Sequence, residues 1–203
     1  MSDIHELLDQ VKGLAVSNER VIVGIAGPPA SGKSTFVAQL ADQLDGAVVV
    51  PMDGFHLDNV ILERRGLLPR KGSPETFDAS AYAHLLQRIK RGDDTIYAPL
   101  FDRKADLSRA SAIEIPPETK VILAEGNYLL LDQAPWQQLQ PLFDLTVSLC
   151  VPEEILQQRL LQRWLDHGLT EEAALARAEL NDLPNARLVI NKSIHADCLI
   201  NNY

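Results

Sequence analysis

The chain has 203 residues, of which 46% are hydrophobic and 23% are charged, as in an ordinary soluble globular protein. The formal net charge of -9 at pH 7 argues against a long nucleic acid as partner, because proteins that bind one usually carry a basic face. This length suits one α/β domain, and we predict a single domain over residues 1–203.

The first 16 residues are amphipathic and acidic, and they lack the basic segment and apolar core of a signal peptide. No stretch approaches the ~18 uninterrupted apolar residues of a membrane span, so we expect no membrane partner. Cys150 and Cys198 lie outside any metal-binding spacing and are predicted to be core thiols in a reducing compartment. We therefore expect a cytoplasmic protein.

Five short apolar runs, rich in Val, Ile and Leu without alternation, predict parallel strands that are buried on both faces. They are residues 21–26, 47–52, 121–124, 145–150 and 198–200. Helical patterns occupy residues 34–44 and 79–90, and two further helices are predicted to begin near Pro152 and Thr170. Strands that alternate with helices predict a doubly wound α/β fold.

Residues 53–78 and 92–118 are rich in Gly, Pro and charge, and they interrupt this alternation. Substrates of open α/β sheets bind beyond the carboxyl ends of the strands. We therefore predict that both segments are substrate-side loops, with plain surface connections as the alternative.

The segment GPPASGKST, residues 27–35, matches the GxxxxGK[ST] motif between a predicted strand and a predicted helix. Its glycines let several N–H groups face one point, and the following helix adds the positive end of its dipole. Lys33 supplies a cation for the β and γ phosphates, and the Ser34 hydroxyl can ligate Mg²⁺. The alternative is a Gly-rich turn with an accidental lysine. We predict that ATP with Mg²⁺ binds here, at Gly27, Pro28, Pro29, Ala30, Ser31, Gly32, Lys33, Ser34 and Thr35.

Three classes of protein share this phosphate cradle. A GTPase needs NKxD and DxxG motifs, but residues 191–194 lack the Asp and residues 53–56 lack the second Gly. A transport or remodelling ATPase is normally longer and carries an Asp-Glu pair where this chain has Glu125-Gly126. A small-molecule kinase needs a carboxylate near the acceptor hydroxyl, a carboxylate near the metal, and basic residues over the phosphates.

Two carboxylates follow predicted strands on the same edge as this loop. Asp53 can accept the proton of the acceptor hydroxyl, whereas the alternative is an Asp that caps a turn. Glu125 occupies the Walker B position and is predicted to hold Mg²⁺ directly or through water; the alternative is a buried structural carboxylate.

Arg159 and Arg163 are four residues apart and therefore share one face of the helix that begins near Pro152. Gly168 then breaks the helix. We predict a phosphate lid at about residues 159–174, favoured over a solvated helix surface. The predicted catalytic residues are Lys33, Asp53, Arg159 and Arg163.

The two substrate-side loops contain side chains that suit a polyol or a phosphorylated ligand. Some are hydroxyl acceptors or anion donors, and the rings of Phe55 and Phe101 could form an apolar wall. The predicted substrate residues are Phe55, His56, Arg70, Lys71, Asp102 and Arg103.

In the segments GPPASGKST, PMDGFHLDN, RKGSPETFD, APLFDR, AEGNYLLLD and RLLQRWLDHGLT…ELND…N, the sequence resembles the phosphoribulokinase/uridine kinase/pantothenate kinase group of P-loop kinases. The resemblance implies a three-layer sandwich, strand order 2-3-1-4-5 and a helical lid. It also implies Asp53 as the base-position carboxylate, Glu125 as the Walker B acid, and Arg159 and Arg163 in the lid.

Within this group the sequence is most similar to a branch named as fructose transport system kinases. The resemblance therefore implies an ATP-dependent kinase of a small hydroxyl compound, with a sugar such as fructose as the favoured acceptor. The alternatives are a nucleoside kinase, a pantothenate-type kinase, or a non-catalytic ATP-binding regulatory protein. Phe55 matches the aromatic that stacks the base in uridine kinases, whereas the pantothenate-kinase segments differ from those present here. We expect a monomer or a homodimer.

Overall fold

A computed structural model describes residues 4–92 and 94–203, so residues 1–3 of the amphipathic start and residue 93 of a predicted loop lie outside it. The described helices are α1 (Ile4–Ser17), α2 (Lys33–Ala41), α3 (Asn59–Arg64), α4 (Ala79–Arg91), α5 (Glu153–Asp166), α6 (Glu171–Arg177) and α7 (Leu183–Lys192). The described strands are β1 (Val21–Ala26), β2 (Val48–Pro51), β3 (Ile96–Asp102), β4 (Leu107–Ile115), β5 (Val121–Gly126), β6 (Leu145–Cys150) and β7 (Cys198–Asn201).

Five of these strands form one parallel sheet in the order β2-β5-β1-β6-β7. Numbered by their own order in the chain, they run 2-3-1-4-5, which confirms the predicted topology. The register aligns Glu125 with Ile25 on one side and with Pro51 on the other. The chain segments that leave β1, β2 and β5 therefore emerge together at one edge of the sheet.

Helices cover both faces of the sheet, which confirms the predicted three layers. On one face α1 and α2 pack apolar side chains, among them Leu7 and Phe36, against the strands. On the other face α4 packs together with a short 3₁₀ segment, Trp136–Leu142. Helix α4 is capped at its start by Asp78, whose side chain accepts the N–H of Ala81, and at its end by Gly92.

The predicted loop at 92–118 differs from the structure, which forms an antiparallel hairpin there from β3 and β4. Ile96 pairs with Ile115 and Ala98 with Ile113, so these side chains share one face of the hairpin. This period of two covers few residues, and Pro99 and the surrounding charges interrupt it. The strand signal is therefore weak in the sequence.

The predicted loop at 53–78 consists of short helical turns and α3. The predicted lid region contains α5 and α6, separated at Gly168, which adopts a left-handed φ of 85°. A π-helical turn, Ala178–Asp182, joins α6 to α7. In residues 4–92 and 94–203 no helix is long and apolar enough to cross a membrane.

Candidate active site

A cleft of about 410 Å³ opens at the carboxyl edge of the sheet. The loop of residues 27–35 forms its floor. Ala30 and Gly32 have left-handed φ values of 62° and 83°, and the first helical hydrogen bond of α2 runs from Phe36 N–H to Gly32 O. In the described chain no protein acceptor takes the N–H groups of residues 32–35. These donors and the helix dipole form a nest that suits phosphate.

Lys33 is buried at the start of α2, and its ammonium rests on the loop itself. Nζ donates to Pro28 O at 2.9 Å and to Ser31 Oγ at 3.3 Å. Burial lowers the pKa of Lys33 to about 8, although the carboxylates of Glu125 and Asp53 oppose the shift. Both hydrogen-bond partners of this ammonium are neutral oxygens, and a phosphate chain would supply an anionic partner.

Ser34 and Glu125 face each other across the floor of the cleft, with Ser34 Oγ 3.4 Å from both carboxylate oxygens. Burial raises the pKa of Glu125, and the nearby Lys33 opposes the shift. No cluster of three His, Cys, Asp or Glu side chains occurs in the described residues. One hydroxyl and one carboxylate match the donor set of Mg²⁺, which is usually completed by water and substrate phosphate.

Asp53 lies in the 3₁₀ turn Met52–Phe55 that follows β2. Its Oδ2 accepts a charge-assisted hydrogen bond from Arg103 Nη2 at 2.6 Å, and Arg103 belongs to the turn of the β3–β4 hairpin. Gly54 makes this approach possible, because a Cβ there would collide with Pro99 O. The hairpin therefore packs directly against the turn that carries Asp53.

His56 forms part of the wall beside Asp53. Its ring lies between those of Phe77 and Phe101, with centroid distances of 4.0 and 4.5 Å. Burial lowers the pKa of His56, so the imidazole is neutral at pH 7. Nδ1 lies 2.8 Å from Asp53 O and therefore carries the proton, which leaves Nε2 as an acceptor.

Lys71 lines the cleft, but its three N–H donors are engaged. They bind Asn59 Oδ1 at 2.7 Å, Asp106 O at 2.9 Å and Asp106 Oδ1 at 2.8 Å. The ammonium also lies 5.0 Å from the ring centroid of Phe101. Lys71 thus fastens α3 to the hairpin turn, and it has no spare donor for an anion.

Three predicted substrate residues do not line the cleft. Phe55 packs edge-on against Tyr82 in the core, with ring centroids 4.9 Å apart. Arg70 donates to Leu180 O at 2.8 Å. Asp102 caps the hairpin turn by accepting the N–H groups of Lys104 and Ala105. Each side chain therefore has a structural partner, and we do not include these three in the proposed substrate site.

The two predicted lid arginines occupy different positions on α5. Arg163 lines the cleft, with its guanidinium 5.6 Å from the ring of Trp164. No described carboxylate pairs with Arg163, and burial lowers the pKa of its guanidinium. Arg159 lies beside the phosphate loop, where Nη1 is 3.4 Å from Ala30 O. Arg163 is therefore the better placed of the two to meet a phosphate in the cleft.

Several residues for which the sequence predicts no individual role complete the cleft from the lid side. Arg177 lies 5.3 Å from the Trp164 ring and donates to Pro69 O at 2.9 Å. Asp182 and Asn185, on the π-turn and α7, are 9% and 2% exposed and also line the cleft. Burial of two polar side chains was not visible in the sequence. The available signal was the ELND…N segment, which carries part of the family resemblance.

Comparisons with known proteins agree with this geometry. A crystal structure described as a “putative fructose transport system kinase” from Silicibacter sp. TM1040 is 46% identical, with a TM-score of 0.88 over 95% of this chain and 98% of that one. A “Putative uridine kinase” of Schizosaccharomyces pombe is 33% identical over 98% of this chain and 91% of its own length. An “ATP-dependent kinase YFH7” of Lachancea thermotolerans is 30% identical over 89% of this chain and 65% of its own.

No family model matches the chain. The identity and coverage of these relatives nevertheless establish the family of the chain. Pantothenate kinases occur among the further matches, and that of Nocardioides sp. is 32% identical over 55% of this chain. The chain belongs to the P-loop kinase family that includes uridine kinases, pantothenate kinases and phosphoribulokinases.

Proposed function

We propose that this protein is an ATP-dependent kinase that transfers the γ-phosphate to a hydroxyl group of a small molecule. The observation that carries the proposal is the position of Asp53. Its carboxylate lines the same cleft as the free N–H groups of the phosphate loop and the Ser34–Glu125 pair. A protein that only bound ATP would need the loop, but it would have no use for a second carboxylate beside it.

In this proposal the free N–H groups and Lys33 hold the phosphate chain. Ser34 and Glu125 would hold Mg²⁺, which supplies charge neutralisation when it is bound. The acceptor oxygen forms a bond to the γ-phosphorus while the bond from that phosphorus to the bridging oxygen of ADP breaks. The hydroxyl proton passes to Asp53, and Arg163 stabilises charge on the transferring group.

The cleft residues that we assign to the phosphate-accepting substrate favour a neutral polyol such as a sugar. Three of these residues have a hydrogen-bond acceptor atom to which no described residue donates. These atoms are His56 Nε2, Asp182 Oδ1 and Asn185 Oδ1. Hydroxyl groups donate hydrogen bonds to such atoms.

The cationic side chains beside these atoms already have protein partners. Lys71 binds Asn59 and Asp106, Arg103 binds Asp53, and Arg177 binds backbone carbonyls. Because all three donors of Lys71 are engaged, a second anionic group on the acceptor could bind this ammonium only by breaking one of its contacts. A sugar is therefore our proposed acceptor class, and the name of the Silicibacter relative makes fructose the first sugar to test.

The test is a screen of purified protein with Mg–ATP against sugars, polyols, nucleosides, pantothenate and hydroxy acids, with ADP release measured beside a no-acceptor control. We expect acceptor-dependent ADP release with a neutral polyol or sugar, and a phosphorylated product by mass spectrometry. Turnover with a nucleoside or pantothenate alone would overturn the sugar assignment. Nucleotide binding without acceptor-dependent turnover on any compound would contradict the kinase proposal itself.

A further inference from the structure

We infer that Asn202 is a positioning residue for the phosphate loop: its side-chain amide holds the Ser31–Gly32 peptide so that Gly32 N–H stays directed into the nest. Asn202 lies 170 residues beyond Gly32 and follows the last strand of the sheet. The inference rests on the proposed nucleotide binding, and it adds a residue that neither the loop motif nor the predicted lid contains.

The contact is short and well supported. Asn202 Nδ2 donates to Ser31 O at 2.6 Å. The backbone of Asn202 is itself fixed, because its N–H donates to Cys150 O at 3.2 Å just beyond the β6–β7 ladder, which ends at the pair Cys150 and Asn201. The amide therefore extends from the edge of the central sheet and not from a free segment.

The consequence follows from peptide geometry. A trans peptide is planar, so the Ser31 carbonyl and the Gly32 N–H point in opposite directions. No described backbone N–H donates to Ser31 O, because the helical ladder of α2 begins one residue later, at Gly32 O. Asn202 thus supplies the partner that holds this peptide in one orientation. Without it, the Ser31 carbonyl would have no donor among the described residues, and the permissive torsions of Gly32 would let the peptide plane tilt more freely.

Gly32 fits this role for a second reason. A Cβ at this position would collide with Asn202 Nδ2, and the φ of 83° is already unfavourable for a side chain. The absence of a side chain at Gly32 therefore leaves the space that the Asn202 amide occupies. The contact depends on a glycine at this position of the loop.

The experiment uses Asn202→Ala and Asn202→Asp in the full chain. The Asp side chain keeps the shape but has no donor for Ser31 O. The control is Gln43→Ala, which removes another side-chain amide bound to a backbone carbonyl, Gln39 O, at the far end of α2. The dissociation constants of Mg–ADP and of inorganic tripolyphosphate are measured by calorimetry. Hydrogen exchange of the loop amides is measured without ligand.

We expect Asn202→Ala to weaken both ligands about threefold to tenfold, the range of one lost hydrogen bond, and Asn202→Asp to weaken them more. Exchange at Gly32 should accelerate, while the Gln43→Ala variant should match the wild type in all three measurements. Dissociation constants within twofold of the wild type in both Asn202 variants would overturn the inference, as would an equal loss in Gln43→Ala. A wild type that binds Mg–ADP but transfers no phosphate would overturn the kinase proposal alone, because this test needs binding only.

Discussion

Arg103 and Asp53 form an ion pair, with 2.6 Å between Nη2 and Oδ2, that joins the hairpin turn to the turn after β2. Both side chains remain partly exposed in the cleft, so the Coulombic energy of the pair is screened and its value for stability is small. Its consequence is geometric. The guanidinium fixes the orientation of the carboxylate that we propose as the base.

Removal of this guanidinium should therefore impair turnover more than binding. We expect Arg103→Ala to lower kcat by roughly 10–100-fold, as misplacement of a reacting group does, with the Mg–ADP dissociation constant within about twofold. The matched control is Arg109→Ala on the same hairpin, which removes the longer pair with Asp102, at 3.7 Å. Equal kcat values for Arg103→Ala and the wild type would show that Asp53 needs no such support.

Lys33 predicts a pH dependence of nucleotide binding. The pKa of Lys33 in the free protein is about 8, which is below the ordinary value of 10.5. The ammonium is therefore present below about pH 8 and is lost above about pH 8. Bound phosphates favour the charged form, so binding should take up protons between about pH 8 and pH 10. Mg–ADP affinity should fall as the pH rises through this window. Calorimetry in buffers of different ionisation enthalpy measures the uptake, and Lys33→Ala should abolish it.

The two lid arginines should differ in effect. Arg163 lines the cleft, so Arg163→Ala should lower kcat by about 100-fold or more with a smaller change in the KM for ATP. Arg159 contacts Ala30 O beside the loop, so Arg159→Ala should produce a smaller fall in kcat. Arg187→Ala is the control, because it removes an exposed pair with Glu153. If Arg163→Ala turned over like this control, the lid role would be wrong.

Asp182 tests the proposed acceptor site. Asp182→Asn keeps the shape and can still accept the Trp164 Nε1–H bond, which is 2.6 Å long in the wild type. It removes the charge and replaces one carboxylate acceptor with a donor. We expect the KM of a polyol acceptor to rise about tenfold, the value of one good hydrogen bond to a charged group, while the KM for ATP changes little. An unchanged acceptor KM would place the sugar hydroxyls elsewhere.

The sheet and the phosphate loop were predictable because their signals are local. Continuous apolar runs marked all five parallel strands, and strand–glycine loop–helix order marked the nest. The hairpin was less visible because each strand buries few side chains, among them Ile96 and Ala98, around Pro99.

The roles of individual loop side chains depend on distant partners, which the sequence does not reveal. Lys71 looks like a free cation until Asn59 and Asp106 meet it from α3 and the hairpin turn. The sequence suggests that Phe55 lines the wall of the site, but in the structure its ring packs against Tyr82 in the core. Asp182 and Asn185 enter the cleft only because a π-turn and α7 bring them there.

Asp53→Asn is the variant that separates phosphoryl transfer from nucleotide binding. The variant keeps the shape of the side chain but cannot take a proton, whereas the matched control Asp102→Asn changes a carboxylate that caps the hairpin turn and pairs with Arg109 outside the cleft lining. The measurement is acceptor-dependent ADP release beside a Mg–ADP titration. We predict that kcat falls by roughly 10²–10⁴, the usual contribution of a positioned base, while Mg–ADP binding survives and the control remains active. Full acceptor-dependent turnover in Asp53→Asn would show that Asp53 is not the base.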